Sequence, residues 1–130
     1  MSLDGIQRDG SLCQVINENR QSELGERVAV ARSFWRRGKG LMFRSELPAG
    51  TGLVIDPCSS IHTFWMRFPI DVLYVDKNGK VLRVDRAMKP WRIGPLIVRH
   101  GRFVVELPAG TIERTRTERG DQLRLEPISA

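Results

Sequence analysis

Cysteine and histidine are scarce in this chain of 130 residues: Cys13 and Cys58 are the two cysteines, His62 and His100 the two histidines. A disulfide-rich secreted module needs more cysteine, and no CxxC or HxxxH spacing marks a structural metal. We therefore expect two reduced thiols, no metal and no cofactor. A Cys13–Cys58 bridge is open only if the strands carrying those residues adjoin. No apolar run approaches the length of a membrane span. The opening MSLDGIQRDG holds no apolar h-region, so no secretory signal is read there. Residues 1–10 read as a tail, disordered or tag-derived, ahead of a single domain over 11–130. The chain as written reads as cytoplasmic, or as an envelope or secreted protein if a natural leader was trimmed. Phosphate-loop, GxSxG, HExxH and dinucleotide fingerprints are all missing.

What the chain has is positive charge. Lysine and arginine number 21 against 15 acidic residues, a net charge of +6. Such a balance favours acidic or anionic partners. The densest cluster is Arg32, Arg36, Arg37, Lys39 and Arg44, interleaved with Phe34 and Trp35. A second, Arg114, Arg116 and Arg119, is broken by Glu113 and Glu118. Charge this scattered fits a solvated surface better than dedicated nucleic-acid binding. The latter stays open through Arg32, Arg36, Arg37 and Lys39. A monomer or a homodimer is expected.

Period-two alternation and turn residues predict short strands over 12–16, 27–32, 52–56, 61–67, 71–76, 80–87, 103–107 and 121–126. The polar stretch 17–26 reads as a loop, as does 88–100, with Trp91 as its anchor. Ser33 is placed to cap one short helix over 33–39, limited by Gly38 and Gly40. Thr111 is placed to start a further helical turn. The hexapeptide ELPAGT occurs at 46–51 and 106–111 with unlike flanks, which predicts two similar strand-exit turns rather than a duplication. Many short strands and little helix make an all-β sandwich or barrel.

The clearest element is a hairpin over 71–87. Asn78-Gly79 suits a two-residue type I′ turn. That turn sets Val75 against Leu82, Leu73 against Val84 and Asp71 against Arg86. Leu73, Val75, Leu82 and Val84 then share the core face, with Tyr74 and Arg83 paired on the other. Asp71 and Arg86 fall opposite each other on the core face, either as a strand-end salt bridge or as a ligand-pocket pair.

These landmarks run in a recognisable order: GLMFRSELPAG at 40–50, HTFWMRFPIDVLYVDKNGKVLRV at 62–84, FVVELPAG at 103–110, then Gly120-Asp121. They resemble the domain of unknown function 192 family over residues 27–126. The resemblance implies a compact β-sandwich or half-barrel of jelly-roll type and no catalytic residues to carry over. Many relatives bear a signal peptide or lipid anchor. The common family form has Asn-Thr after Trp-Met-Lys, where Arg67-Phe68 stands here.

Pocket candidates are Trp65, Met66, Asp71, Arg86 and Glu106, with His62 and Cys58 at the strand entrance. If Phe64 and Met66 face inward, Trp65 faces outward, or the reverse. Cys58 and His62 invite a thiol nucleophile with an imidazole base, oriented by Asp56 or Asp71. With Cys13 and His100 they invite a metal site. Alternation puts Glu106 on the face of Val104, half-buried beside Asp71 or an arginine, where a raised pKa makes it a general-acid candidate. The expected function is a non-catalytic binding module with a cleft at the sheet rim for a small or polymeric ligand, anionic or sugar-like. Trp65 and Trp91 give its apolar floor, Arg67 and Arg86 its charge. The alternatives are a hydrolase or lyase using a carboxylate or Cys58–His62, a nucleic-acid-associated protein, and an interaction protein with Trp65 in a dimer seam.

Overall fold

In the computed structural model, which describes residues 8–128, the elements run β1 (Leu12–Asn17), β2 (Ser22–Ala31), α1 (Phe34–Lys39), β3 (Thr51–Ile55), β4 (Ile70–Val75), β5 (Val81–Met88), β6 (Phe103–Pro108), α2 (Thr111–Thr115) and β7 (Leu123–Pro127). The strands form one sheet in the order β5-β4-β6-β3-β2-β1-β7. Neighbours are antiparallel except the parallel β2–β3 pair. The two edge strands meet at one end. Lys80 bridges to Gln122, Val81 N–H donates to Asp121 O at 2.9 Å, and Leu123 N–H donates to Gly79 O at 2.8 Å. The sheet therefore curls into a half-barrel. Among the described residues no helix is long and apolar enough to cross a membrane.

Curling gives the sheet two unlike faces. The inner face packs Val15, Leu24, Val28, Leu73, Val75, Phe103, Val105 and Leu107, with Ile112 of α2 among them. On the outer face, Leu53, Ile55, Ile70, Val72, Tyr74 and Val104 lie under Leu41, Ile61, Met66 and Val98 of three long loops. Every residue of β4 is buried as a result, which is why IDVLYV reads as a nearly continuous apolar run.

The hairpin departs from its expected register. Asp76 Oδ1 accepts from the N–H groups of Asn78 (2.8 Å) and Lys80 (2.9 Å), and Gly79 N–H donates to Asp76 O at 3.1 Å. Among the loop residues Gly79 alone has a positive φ, 91°. The turn is thus a three-residue loop with a glycine bulge, since type I′ needs positive φ at both central positions. Val75 consequently pairs with Val81, not Leu82. Leu82 is an extra residue that restores the register, so Leu73 does face Val84 and Tyr74 faces Arg83. Val81, not Leu82, is fully buried. A second bulge lies between Val72–Asp85 and Ile70–Met88, so Asp71 does not face Arg86.

Two further expectations change. The polar stretch before 27 is not all loop, because β2 begins at Ser22. It is broken at Glu26-Arg27, where both N–H groups converge on Gly50 O at 2.8 and 3.0 Å. Residues 61–67 form no strand. Thr63 binds this segment to the 89–101 loop instead, accepting from Trp91 N–H at 2.9 Å and donating to Arg92 O at 2.8 Å, and only the His62–Ile93 bridge is sheet-like. The ELPAGT copies do share a turn. Thr51 Oγ1 donates to Pro48 O at 2.6 Å and Thr111 Oγ1 to Pro108 O at 2.7 Å, with Gly50 and Gly110 at φ 81° and 96°. The first copy, however, enters β3, while the second leaves β6. Of the expected tail, residues 1–7 lie outside the described residues. Asp9 is tied down, its Oδ1 accepting from Arg32 N–H (2.7 Å) and Ser33 N–H (3.1 Å).

Candidate functional site

Glu106 sits mid-strand on β6, between Leu53 of β3 and Val72 of β4. It shares the outer face with Val104, as alternation requires. It is wholly rather than half buried, with 2% of its surface exposed, and neither Asp71 nor an arginine is bonded to it. Its Oε1 has no hydrogen-bond partner among the described residues. Burial raises the carboxyl from 4.5 to about 8, so Glu106 carries its proton at neutral pH.

Over this carboxyl lies a cavity of about 120 Å³, large enough for a small polar group. Ile55 and Met66 give apolar lining, Cys58 and His62 line it too, and Arg37, Lys39 and Gly40 come from α1 and its end. Gly40 closes the roof at φ 51°; a Cβ there would lie 3.6 Å from Glu106 Oε1. Arg37 is held by bonds from Nε to Arg32 O (3.1 Å) and from its guanidinium to Pro57 O (3.3 Å). The Cys58 thiol donates to Ser60 O at 2.8 Å. Burial pushes that thiol above the usual cysteine range and favours its protonated form. His62 Nδ1 accepts from Phe64 N–H at 3.1 Å, which leaves Nε2 as the neutral ring's donor.

Beside the cavity runs an arc of rings. His62 lies 5.0 Å from Phe64, Phe64 5.9 Å from Trp91, Trp91 4.7 Å from Trp65, and Trp65 6.0 Å from Phe43, centre to centre. Met66 points inward and Trp65 outward, at 4% and 53% exposure. Phe43, Trp65 and Trp91 come from three different loops, yet all adopt left-handed backbone, φ 68°, 67° and 63°. Such conformations cost bulky residues about 1–3 kcal/mol each and concentrate at functional sites. Phe43 N–H donates to Trp65 O at 3.0 Å, locking two of the loops together.

The structure thus brings Cys58, His62, Met66 and Glu106 onto one cavity, with Trp65 and Trp91 beside it. Asp71, Arg86 and Arg67 are elsewhere. Asp71 points to the inner face, where its oxygens accept from Ala87 N–H and Ile112 N–H, each at 2.8 Å. It caps α2, whose own N-cap, Gly110, has no side chain to do so. Arg86 and Arg67 are exposed. The nucleophile reading lacks its third member, since Asp56 is taken by Arg102 at 2.9 Å and Arg32 at 3.7 Å, and Asp71 by backbone. The metal reading fails on geometry. Cys13 lies in the inner core and Cys58 in the outer layer, both as free thiols. No group of three or more His, Cys, Asp or Glu among the described residues could hold an ion. Sequence reasoning missed Arg37, Lys39, Gly40 and Phe43 as neighbours of Glu106. The only signal was the Gly38–Gly40 break ahead of Leu41-Met42-Phe43.

The family model described as "Uncharacterized ACR", domain of unknown function 192, matches residues 15–125. The chain belongs to this family. Among its curated relatives, a UPF0127 protein of Pyrococcus horikoshii is 34% identical over 117 residues, covering 85% of this chain and 96% of the relative. A UPF0127 protein of Pyrococcus furiosus is 33% identical over 116 residues, covering 84% and 95%. Of solved structures, one from Sinorhizobium meliloti, provisionally described as a transcription regulator, superposes with TM-score 0.75 at 23% identity over 88% of this chain and 92% of that one. A protein of unknown function from Novosphingobium aromaticivorans gives 0.71 at 22% identity over 87% and 83%. The two structural likenesses show that this chain shares its fold with both proteins.

Proposed function

We propose that this family member is a non-catalytic binding module for a small oxygen-rich ligand, anionic or sugar-like. The ligand's polar end enters the cavity over Glu106, and its flat or apolar part lies on Trp65 and Trp91. One observation carries the reading: a fully buried carboxyl whose Oε1 has no partner among the described residues. A buried polar group left unsatisfied costs about 1–3 kcal/mol, and a ligand oxygen accepting from the protonated acid would recover that. Arg37 and Lys39 supply the positive field that Arg67 and Arg86 were expected to give. Among the described residues that line the cavity, Glu106 is the sole acid. Acid–base catalysis of hydrolysis or elimination generally needs a second group of matched pKa, so binding is favoured over turnover.

The test is a ¹H–¹⁵N titration of labelled protein with a panel of monosaccharides and small organic acids. Expected are shifts confined to residues 40–43, 58–66 and 106, and an affinity about tenfold weaker in Glu106→Gln. A ligand that maps elsewhere, or binds Glu106→Gln as well as the parent, sinks the reading. Nucleic-acid association is the weaker alternative. Arg36 pairs with Asp9 at 3.1 Å, Arg32 lies 3.7 Å from Asp56, and Arg37 is bonded to backbone, so most of the proposed basic surface is engaged internally.

A further inference from the structure

The loop that carries Trp91 continues into a surface with a different character from the cavity. Ile93, Leu96 and Ile97 are 66%, 85% and 76% exposed, three branched aliphatic side chains within five residues. Burying such groups is the main source of fold stability, so leaving three of them in water at one loop tip calls for an external apolar phase. Charge follows the same pattern. No aspartate or glutamate occurs between Asp85 and Glu106, nor between Asp56 and Asp71 in the loop bound beside it. Those stretches present exposed Arg67, Arg86, Lys89, Arg92 and Arg99. None of these five forms an ion pair among the described residues, whereas Arg102, at the loop's end, is taken by Asp56. The loop is fastened along the 59–63 segment. Thr63 bonds to Arg92 and Trp91, Gly94 N–H donates to Ile61 O at 2.9 Å, and Val98 N–H donates to Ser59 O at 3.0 Å.

We infer that the 89–99 loop, with Arg86 at the end of β5 and Arg67 in the segment bonded to that loop, docks onto an anionic membrane surface. Ile93, Leu96 and Ile97 enter the acyl boundary, Trp91 sits at headgroup level, and the cations meet the lipid phosphates. Exposed aliphatic tips in a stretch whose only charges are cations fit a phase that is apolar inside and anionic at its face. A second copy of the chain fits poorly, because a self-complementary contact would set these cations against one another. A nucleic acid would use the cations and leave the aliphatic tips in water. The inference does not depend on Glu106 or on any ligand in its cavity.

Co-sedimentation of the full chain with vesicles tests it, comparing pure phosphatidylcholine with a mixture about one-third phosphatidylglycerol. Expected is pelleting with the mixture alone. The paired change Leu96→Ser with Ile97→Ser should weaken it at least about tenfold, and Arg92→Gln with Arg99→Gln should weaken it about fivefold per charge. All four positions are exposed, and an unchanged melting midpoint certifies the folds. Glu106→Gln should pellet like the parent, which separates failure here from failure of the cavity reading. No pelleting would overturn the inference. So would pelleting that ignores the Leu96/Ile97 change and vanishes in salt, the mark of adsorption by net charge alone, as on a nucleic acid. Lipid-free dimerisation abolished by the Leu96/Ile97 change would also overturn it, in favour of a second copy.

Discussion

Asp71 and Glu106 are buried carboxylates on adjoining strands, one step apart in the β4–β6 register, and they point to opposite faces of the sheet. Asp71 meets two backbone N–H groups at 2.8 Å. Glu106 Oε1 meets none among the described residues. Depth is therefore no guide to role. The donors around each group are. An acid that accepts two N–H bonds ties α2 and the β5 bulge to the sheet, while a buried acid with no protein donor adds nothing of that kind.

The largest effect should come from removing the satisfied partner. Asp71→Ala orphans the N–H groups of Ala87 and Ile112 together, and should cost about 3–5 kcal/mol in urea denaturation. A loss below about 1 kcal/mol would mean that the cap is dispensable. Next comes Glu106, whose linkage has the opposite sign to an ordinary ion-paired acid. Its folded value of about 8 lies above the ordinary 4.5, so the native state holds the extra proton between them. Stability falls as pH rises through that window, with a ceiling of about 5 kcal/mol at about 1.4 kcal/mol per unit. Glu106→Gln should match the parent near pH 5 and exceed it by about 3 kcal/mol near pH 9. Parallel stability–pH curves for the two proteins would contradict the raised value. The smallest effect is expected at Arg86. Exposed and unpaired with Asp71, it should tolerate Arg86→Gln within about 0.5 kcal/mol, where a buried Asp71–Arg86 bridge would give several times that.

The sequence was most legible where one strand decides its own pattern. Alternation placed Glu106 with Val104, and turn residues bounded most strands. It failed where two distant segments settle the matter. The hairpin register depends on a glycine bulge at Gly79 and its correction at Leu82. The apolar run at 61–68 looked like a strand because covering loops bury the same residue types as strands do, and Thr63 decides between the two by binding the loop 26–29 residues away. Cys58, His62 and Met66 were named as candidates from a single stretch. Their convergence on Glu106, and the arrival of Arg37 and Lys39 from α1, follow from how the loops fold over the outer face, which no local pattern encodes.

The meeting of the two sheet edges has a bearing on aggregation. An open edge strand offers unpaired N–H and C=O groups to any extended chain, and a fold made mostly of strands has two such edges to defend. Here the start of β5 spends its backbone groups on the segment before β7 through Val81, Gly120 and Leu123. The far end of β5 is kinked by the bulge at Ala87, φ 46°, and the freed N–H is taken by Asp71. The carboxylate that caps α2 thus also blunts an edge. Its loss would leave β5 open to strand addition, and Asp71→Ala should show its damage in solubility at high concentration as well as in stability.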